Sequence, residues 1–303
     1  MKNRKLPVFL SAVIALSLLC GCASVNVNVK PKDSDDTKQE DTAPADTDTK
    51  AADDNTDEAS DGSADDAVNN DFPQLVSTDF DLSKYDGDTM YFECKGNTWA
   101  LTDESAAKYP ELSQQVDNVF EDMLANVNET LRNNDEEAKQ FAKDNSGDEN
   151  FFCYALDEDT LLACADANVV SLVTTQFMSL GGAHPTTGTF TCNLDVTTGE
   201  VIPLAKLISD KEGLDAMIKE ILIEQYTDHA FFGLDESLAE LSMDPYSADP
   251  GTLSYVYSFA PDGLTFYFDP AFLSPYADGG EQVYLSFDQL SPVLNKDEFV
   301  TAE

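Results

Sequence analysis

The sequence predicts an α+β fold: antiparallel sheets with two packed amphipathic helices, arranged in two sub-domains. Three observations predict it. Runs rich in Phe, Tyr, Val and Leu recur with strand-like alternation over residues 72–101, over residues 151–203 and again from Tyr255. Two other stretches carry their apolar residues at helical spacing. The resulting order of strands, helix, strands, helix, strands suits helices packed on a face of antiparallel sheets.

Each element has its own signal. Tyr85-Asp86-Gly87-Asp88 reads as a turn, and Met90–Cys94 and Thr98–Leu101 carry β-prone residues. Tyr109-Pro110-Glu111 opens a helix whose Leu112, Val116, Val119, Phe120, Met123, Leu124, Val127 and Leu131 share one face. That stripe reads most simply as core packing. Residues 133–150 are polar and end in Asp144–Asn150, a loosely calcium-like run. It lacks the Asp-x-Asp-x-Asp-Gly spacing that gathers oxygens around one ion, so a solvated loop is expected.

Phe151–Leu156 and Leu161–Ala165 read as strands flanking Asp157-Glu158-Asp159-Thr160, taken as a hairpin tip. Val169–Leu180 is a third strand, ended by Gly181-Gly182-Ala183-His184-Pro185. Phe190–Val196 and Glu200–Pro203 form a hairpin about Thr197-Thr198-Gly199, where glycine supplies the positive φ of a tight turn. The second helix presents Leu214, Met217, Ile218, Ile221, Leu222 and Tyr226. Three alternating strands follow: Tyr255 to Phe259, Leu264 to Phe268, and Val283 to Phe287, with Pro261-Asp262-Gly263 turning between the first two.

The N-terminus reads as an export signal ending in a lipobox. Lys2, Arg4 and Lys5 precede an apolar run from Leu6 to Leu19, too short for a comfortable membrane span. It closes in Leu19-Cys20-Gly21-Cys22, with an aliphatic residue three before Cys22 and a small one just before it. Residues 1–21 are the expected signal peptide and Cys22 the lipidated residue. Cys20 is the weaker choice, because bulky Leu19 would stand at the cleavage point. The chain is then expected on the outer face of the cytoplasmic membrane, held there by lipid. Residues 30–71 are almost entirely Asp, Glu, Thr, Ala, Asn, Ser and Lys, too poor in apolar surface to fold, so residues 22–71 read as a disordered acidic tether. A flexible coil of that length averages about 40 Å end to end.

The chain carries a formal charge of -41. From residue 72 onward there are 43 acidic and 10 basic residues, a net of -33. Such a domain repels nucleic acid and anionic lipid and attracts cationic proteins and divalent metal. The same acidity also serves plain solubility.

Four cysteines follow the tether: Cys94, Cys153, Cys164 and Cys192. If Asp157–Thr160 is a hairpin tip, Cys153 and Cys164 face each other across it and can form a disulfide. Free buried thiols are the alternative. No Cys-x-x-Cys or Cys/His cluster points to zinc, and no cofactor motif is found. The two histidines, His184 and His229, belong to no zinc motif, and no Gly-x-Ser-x-Gly elbow presents a serine. Carboxylate pairs for glycoside hydrolysis are too numerous among the acids to single out one. Gly181, Gly182 and His184 form the sharpest local signal, read as a tight crossover locked by the imidazole or, alternatively, as a ligand contact.

Four segments resemble a known superfamily. They are Tyr109-Pro110-Glu111-Leu112 opening the first helix, and Gly181-Gly182-Ala183-His184 after a long strand. The third runs from Asn193-Leu194-Asp195 through Thr198-Gly199-Glu200 to Pro203–Ile208. The fourth is Phe272-Leu273-Ser274-Pro275-Tyr276-Ala277-Asp278-Gly279 ahead of the last strand. In order and spacing they resemble the extracytoplasmic domain of RsiV-type anti-sigma factors and the accessory domain of PdaC-type peptidoglycan deacetylases, over roughly residues 85–295. The resemblance implies a PdaC-like part at 72–180 and an RsiV-like part at 181–303. It implies a binding module that recognises a cationic wall-active protein such as lysozyme, or the cell wall itself. An enzyme or enzyme accessory acting on peptidoglycan glycan is the alternative. Pro275 and Tyr276 join Gly181–His184 as candidate functional surface, although Pro275-Tyr276-Ala277 also suits a structural turn. The chain departs from the family in two ways. Only Met1–Lys5 precede the apolar run, so no sigma-binding segment is expected ahead of the domain, and no deacetylase domain is expected after it.

Overall fold

The computed structural model describes residues 72–146, 151–245 and 253–295. The signal peptide, Cys22 and the tether lie outside the described residues, as do positions 147–150 of the calcium-like run. The described residues fall within one compact unit holding two sheets, with helices packed on both. The α+β reading therefore holds. No described helix is long and apolar enough to cross a membrane.

The first sheet has six strands: β1 (Leu75–Asp81), β2 (Lys84–Asp86), β3 (Thr89–Leu101), β4 (Tyr154–Ala165), β5 (Val169–Ser179) and β6 (Thr186–Asp195). Their order is β1-β3-β4-β5-β6, with β2 also on β3. Gly87, at φ +62°, makes the turn from β2 into β3. All pairs are antiparallel except β3 and β4. A parallel pair needs a long crossover, and α1 (Asp103–Lys108) and α2 (Pro110–Asp144) provide it.

Pro110 stands in the first turn of α2, where its missing N–H costs nothing. Leu112, Val116 and Phe120 pack on Val170, Leu172 and Leu194 at one end of the sheet. Val127, Leu131, Ala138 and Ala142 pack on Phe92, Cys94, Tyr154 and Leu156 at the other. The helix thus continues through 133–144, where a loop was expected. Its last turns hold few large apolar residues but gain a tertiary anchor. The Tyr91 hydroxyl donates to Asp135 at 2.7 Å, and Lys139 lies over the Tyr91 ring.

The hairpin expected at Asp157–Thr160 does not form. These residues continue β4 and pair with Phe177, Gln176, Thr175 and Thr174 of β5. Three consecutive acids have turn-like composition, but in a strand they alternate sides. Glu158 is buried and accepts from Gln176 Nε2 at 2.6 Å, and Thr160 meets Thr174 hydroxyl to hydroxyl at 2.8 Å. Cys153 and Cys164 therefore lie at opposite ends of one strand, roughly 35 Å apart at the rise of an extended chain. No disulfide reaches that far, and all four cysteines are free. Burial raises the Cys94 thiol to about 12 and the Cys164 thiol to about 11, with nearby carboxylates adding to each. Such thiols stay protonated and are poor nucleophiles.

The second sheet, β7 (Val256–Ala260), β8 (Gly263–Phe268) and β9 (Glu281–Ser286), is an antiparallel meander. Before it come α3 (Leu204–Leu207), α4 (Lys211–Gln225) and α5 (Leu234–Ala239); α6 (Phe287–Leu290) follows it. The Asp210 carboxylate caps α4 by accepting from the Gly213 N–H at 3.0 Å. Leu214, Ile218 and Leu222 of α4 share one core with Phe266, Val283 and Leu285. Burying each such side chain is worth about 1.5–3 kcal/mol.

A buried polar seam joins the sheets. β7 is an edge strand, so its outer backbone groups need partners. Ser171 of β5 and Asn193 of β6 provide them. Asn193 Nδ2 donates to the Tyr257 carbonyl at 2.7 Å, Ser171 Oγ accepts from the Phe259 N–H at 3.0 Å, and Ser171 donates to Asn193 Oδ1 at 2.6 Å. β6 lies past residue 180 yet pairs along its length with β5, so the first sheet runs across the expected 180/181 boundary.

Candidate functional site

Two of the sequence-predicted segments meet. Gly181, Gly182 and His184 lie in the loop joining β5 to β6, while Pro275 and Tyr276 lie in the loop joining β8 to β9. Pro275 precedes a single 3-10 turn, Tyr276–Asp278. The Tyr276 hydroxyl donates to the Pro185 carbonyl at 2.9 Å, and its ring centroid lies 5.6 Å from that of His184. Both rings are exposed. Gly181, at φ +75°, is required here: a Cβ would stand 2.8 Å from the Tyr154 ring. The loop is thus fixed by Tyr276 from outside and by glycine from within. Among the described residues His184 makes no hydrogen bond of the kind expected to lock the turn, and its imidazole is instead exposed beside Tyr276.

Two further contacts tie the C-terminal elements along β6. Asp269 Oδ1 accepts from the Thr189 N–H at 2.9 Å, and Asn193 holds Tyr257. With Pro185, these anchor points fall at residues 185, 189 and 193. Burial pushes the Asp269 carboxyl above the usual carboxylate range, against the hydrogen bonds from Thr189.

The remaining two resemblance segments also meet. Gly199, at φ +67°, packs on the start of α2, where a Cβ would lie 2.5 Å from the Glu111 carbonyl. The four segments therefore resolve into two contacts between parts of the chain distant in sequence.

A third loop, between α4 and α5, reaches the same β8–β9 loop. The Ala230 N–H donates to Asp278 at 3.1 Å, and the Phe232 N–H to the Leu273 carbonyl at 2.9 Å. Beneath them is a cluster that the sequence did not reveal. Buried Glu281 accepts from the Ser274 hydroxyl and contacts His229 Nδ1 at 3.0 Å through Oε1, while its Oε2 is buried with no hydrogen-bond partner among the described residues. A serine hydrolase needs imidazole between serine and acid. Here the carboxylate stands between them and Ser274 is wholly buried, so no nucleophile is presented. Among the described residues, no three His, Cys, Asp or Glu side chains stand together as metal ligands.

Acidity elsewhere is built into the strands. Burial raises the Glu158 carboxyl above its ordinary value, opposed by the Gln176 hydrogen bond and assisted by Asp157. A raised carboxyl contributes stability that is complete below the unfolded value, near pH 4.5, and is lost as pH rises through the folded value. Glu158→Gln removes that loss. The variant should melt higher than wild type at pH 8 and match it at pH 4, as differential scanning calorimetry would show.

No known family's sequence profile and no curated protein matches the chain. Similar solved structures include a member of the DUF3298 family from Bacteroides fragilis. It has a TM-score of 0.49 and 18% identity, with 74% of this chain and 94% of that chain covered. Another is a DUF3298 family protein from Pseudomonas aeruginosa, with a TM-score of 0.47, 14% identity, and coverage of 76% and 97%. Both of these structural neighbours are DUF3298 family proteins.

Proposed function

We propose that this chain is a cell-surface binding module, tethered through lipid on Cys22, that captures a cationic wall-active protein such as lysozyme. The observation that carries this reading is the meeting of the Gly181–Pro185 loop with Tyr276. It places two exposed rings on a rigid platform, in a domain of net charge -33. Amphipathic rings held by structure suit protein contacts because little side-chain freedom is lost on binding. The domain's field raises the encounter rate with a cationic partner.

Titration of lysozyme against wild type, Tyr276→Ala and His184→Ala tests the reading. Tyr276→Ala should weaken binding by about tenfold or more, the scale of an interface anchor. His184→Ala should weaken it less and leave the melting temperature unchanged, since the imidazole is exposed. Full affinity in both variants would exclude these loops as the contact surface.

A further inference from the structure

Among the described residues, the second sheet covers the end of the first sheet's face that carries Ser171 and Asn193, and the cover reaches as far as Val173, which is 7% exposed. The ladder registers define the rows that follow toward the β5–β6 loop. Leu161, Val173 and Thr191 make the first row, then Asp159, Thr175 and Thr189, then Lys95, Asp157, Phe177 and Thr187. Asp81 stands opposite Lys95 on β1. Directly opposed residues share a face, as do residues two apart along a strand. The last row therefore spans five strands, about 19 Å at the usual spacing, and the three rows extend about 14 Å.

This face is not an ordinary solvated one. Leu161 is 61% exposed in mid-strand, and Phe177 is only half-buried. Asp159 and Thr175 are exposed beside them. The other side of β4 is closed, with Leu156, Glu158 and Thr160 buried. Along β6 the C-terminal elements are anchored at Pro185, Thr189 and Asn193, so they border the open face along one side.

The charge on the face selects its occupant. Asp81, Asp157 and Asp159 face a single Lys95, whose ammonium is already paired with Glu93. The chain's own tether, with 15 acidic and 4 basic residues over 30–71, would be repelled. The same face of a second copy would be repelled for the same reason. Like charges brought together in this way suppress a partner.

We infer that this open face, floored by Asp157, Asp159, Leu161 and Phe177, docks a cationic protein surface. Lysine or arginine head groups would meet the two aspartates while their aliphatic stems lie over Leu161 and Phe177. The inference rests on the proposed capture of a cationic protein and names where that partner sits.

The test uses the full chain in detergent, with hen egg-white lysozyme as the probe at about 0.15 M salt. The double variant Asp157→Asn/Asp159→Asn is compared with Glu121→Gln/Asp122→Asn, which makes the same charge change on the exposed side of α2. The face variant should lose about tenfold in affinity, and the α2 variant less than about twofold. Leu161→Lys adds a cation at an exposed position and should also weaken binding, with an unchanged melting temperature. Equal losses in the two double variants would overturn the inference in favour of general charge attraction. Unchanged binding in the face variants with loss in Tyr276→Ala would overturn it while leaving the capture function standing. A wild-type chain that binds no lysozyme would overturn both.

Discussion

Replacing Asn193 with leucine should destabilise the domain by roughly 2–4 kcal/mol. The branching at Cγ is kept, but the Tyr257 carbonyl loses its donor and the Ser171 hydroxyl loses its acceptor, all in a buried seam. Each orphaned buried group costs about 1–3 kcal/mol. The variant should also loosen the second sheet from the first, because Asn193 and Ser171 together satisfy the open edge of β7. Urea denaturation followed by both tryptophan fluorescence and far-UV circular dichroism would show it. The single Trp99 reports the first sheet alone. Coincident transitions in wild type and separated ones in Asn193→Leu are the expected pattern. A loss below about 0.5 kcal/mol, the range of ordinary surface changes, would mean that the seam contributes little.

Gly199→Ala should be as damaging. At φ +67° a side chain is strained by about 1–2 kcal/mol. The added methyl would also meet the Glu111 carbonyl at 2.5 Å, a backbone atom at the start of a 35-residue helix. Neither group yields cheaply, and a total of about 3 kcal/mol or more is expected. Gly87→Ala is the matched control. Its φ is similar, at +62°, but nothing lies within 4 Å of the added Cβ, so only the conformational part of the cost should appear. The difference between the two melting temperatures isolates the clash with α2.

The elements that carried a full apolar stripe or a glycine turn were legible in the sequence. The first half of α2, all of α4, the three C-terminal strands and the Thr198-Gly199 turn follow from local pattern. What was not legible depended on partners distant in sequence. Residues 133–144 look like a solvated loop until Tyr91 is found donating to Asp135, 44 residues away. Asp157–Thr160 look like a turn because acids are poor strand formers. They stay extended because Gln176 and Thr174 of β5 receive Glu158 and Thr160. That one error moved Cys153 and Cys164 from facing positions to opposite ends of β4.

The candidate surface was legible only as separate pieces. Gly181–His184 and Pro275-Tyr276 each stood out locally, but no spacing rule reveals that a tyrosine hydroxyl closes on a carbonyl 91 residues away. Within those pieces, Gly181 sits where a side chain would meet the Tyr154 ring, whereas the His184 imidazole is exposed beside Tyr276. Asn193 lay inside a segment singled out for resemblance, yet its role depends on Ser171 and the backbone of β7, which come from elsewhere in the chain. The Glu281, His229 and Ser274 cluster left no trace in sequence spacing at all, since its members come from three loops and strands.

The most direct test of the account is the dissociation constant for lysozyme measured across a salt series. Long-range attraction between opposite charges fades as the screening length falls to about 8 Å near 0.15 M salt. A docking surface built from apolar and hydrogen-bonding groups as well as charge keeps its affinity there. Submicromolar binding that persists at that ionic strength is the expected result. Binding that is weak at low salt and gone by about 0.15 M would contradict it, leaving the acidity of this domain as a general property of its surface.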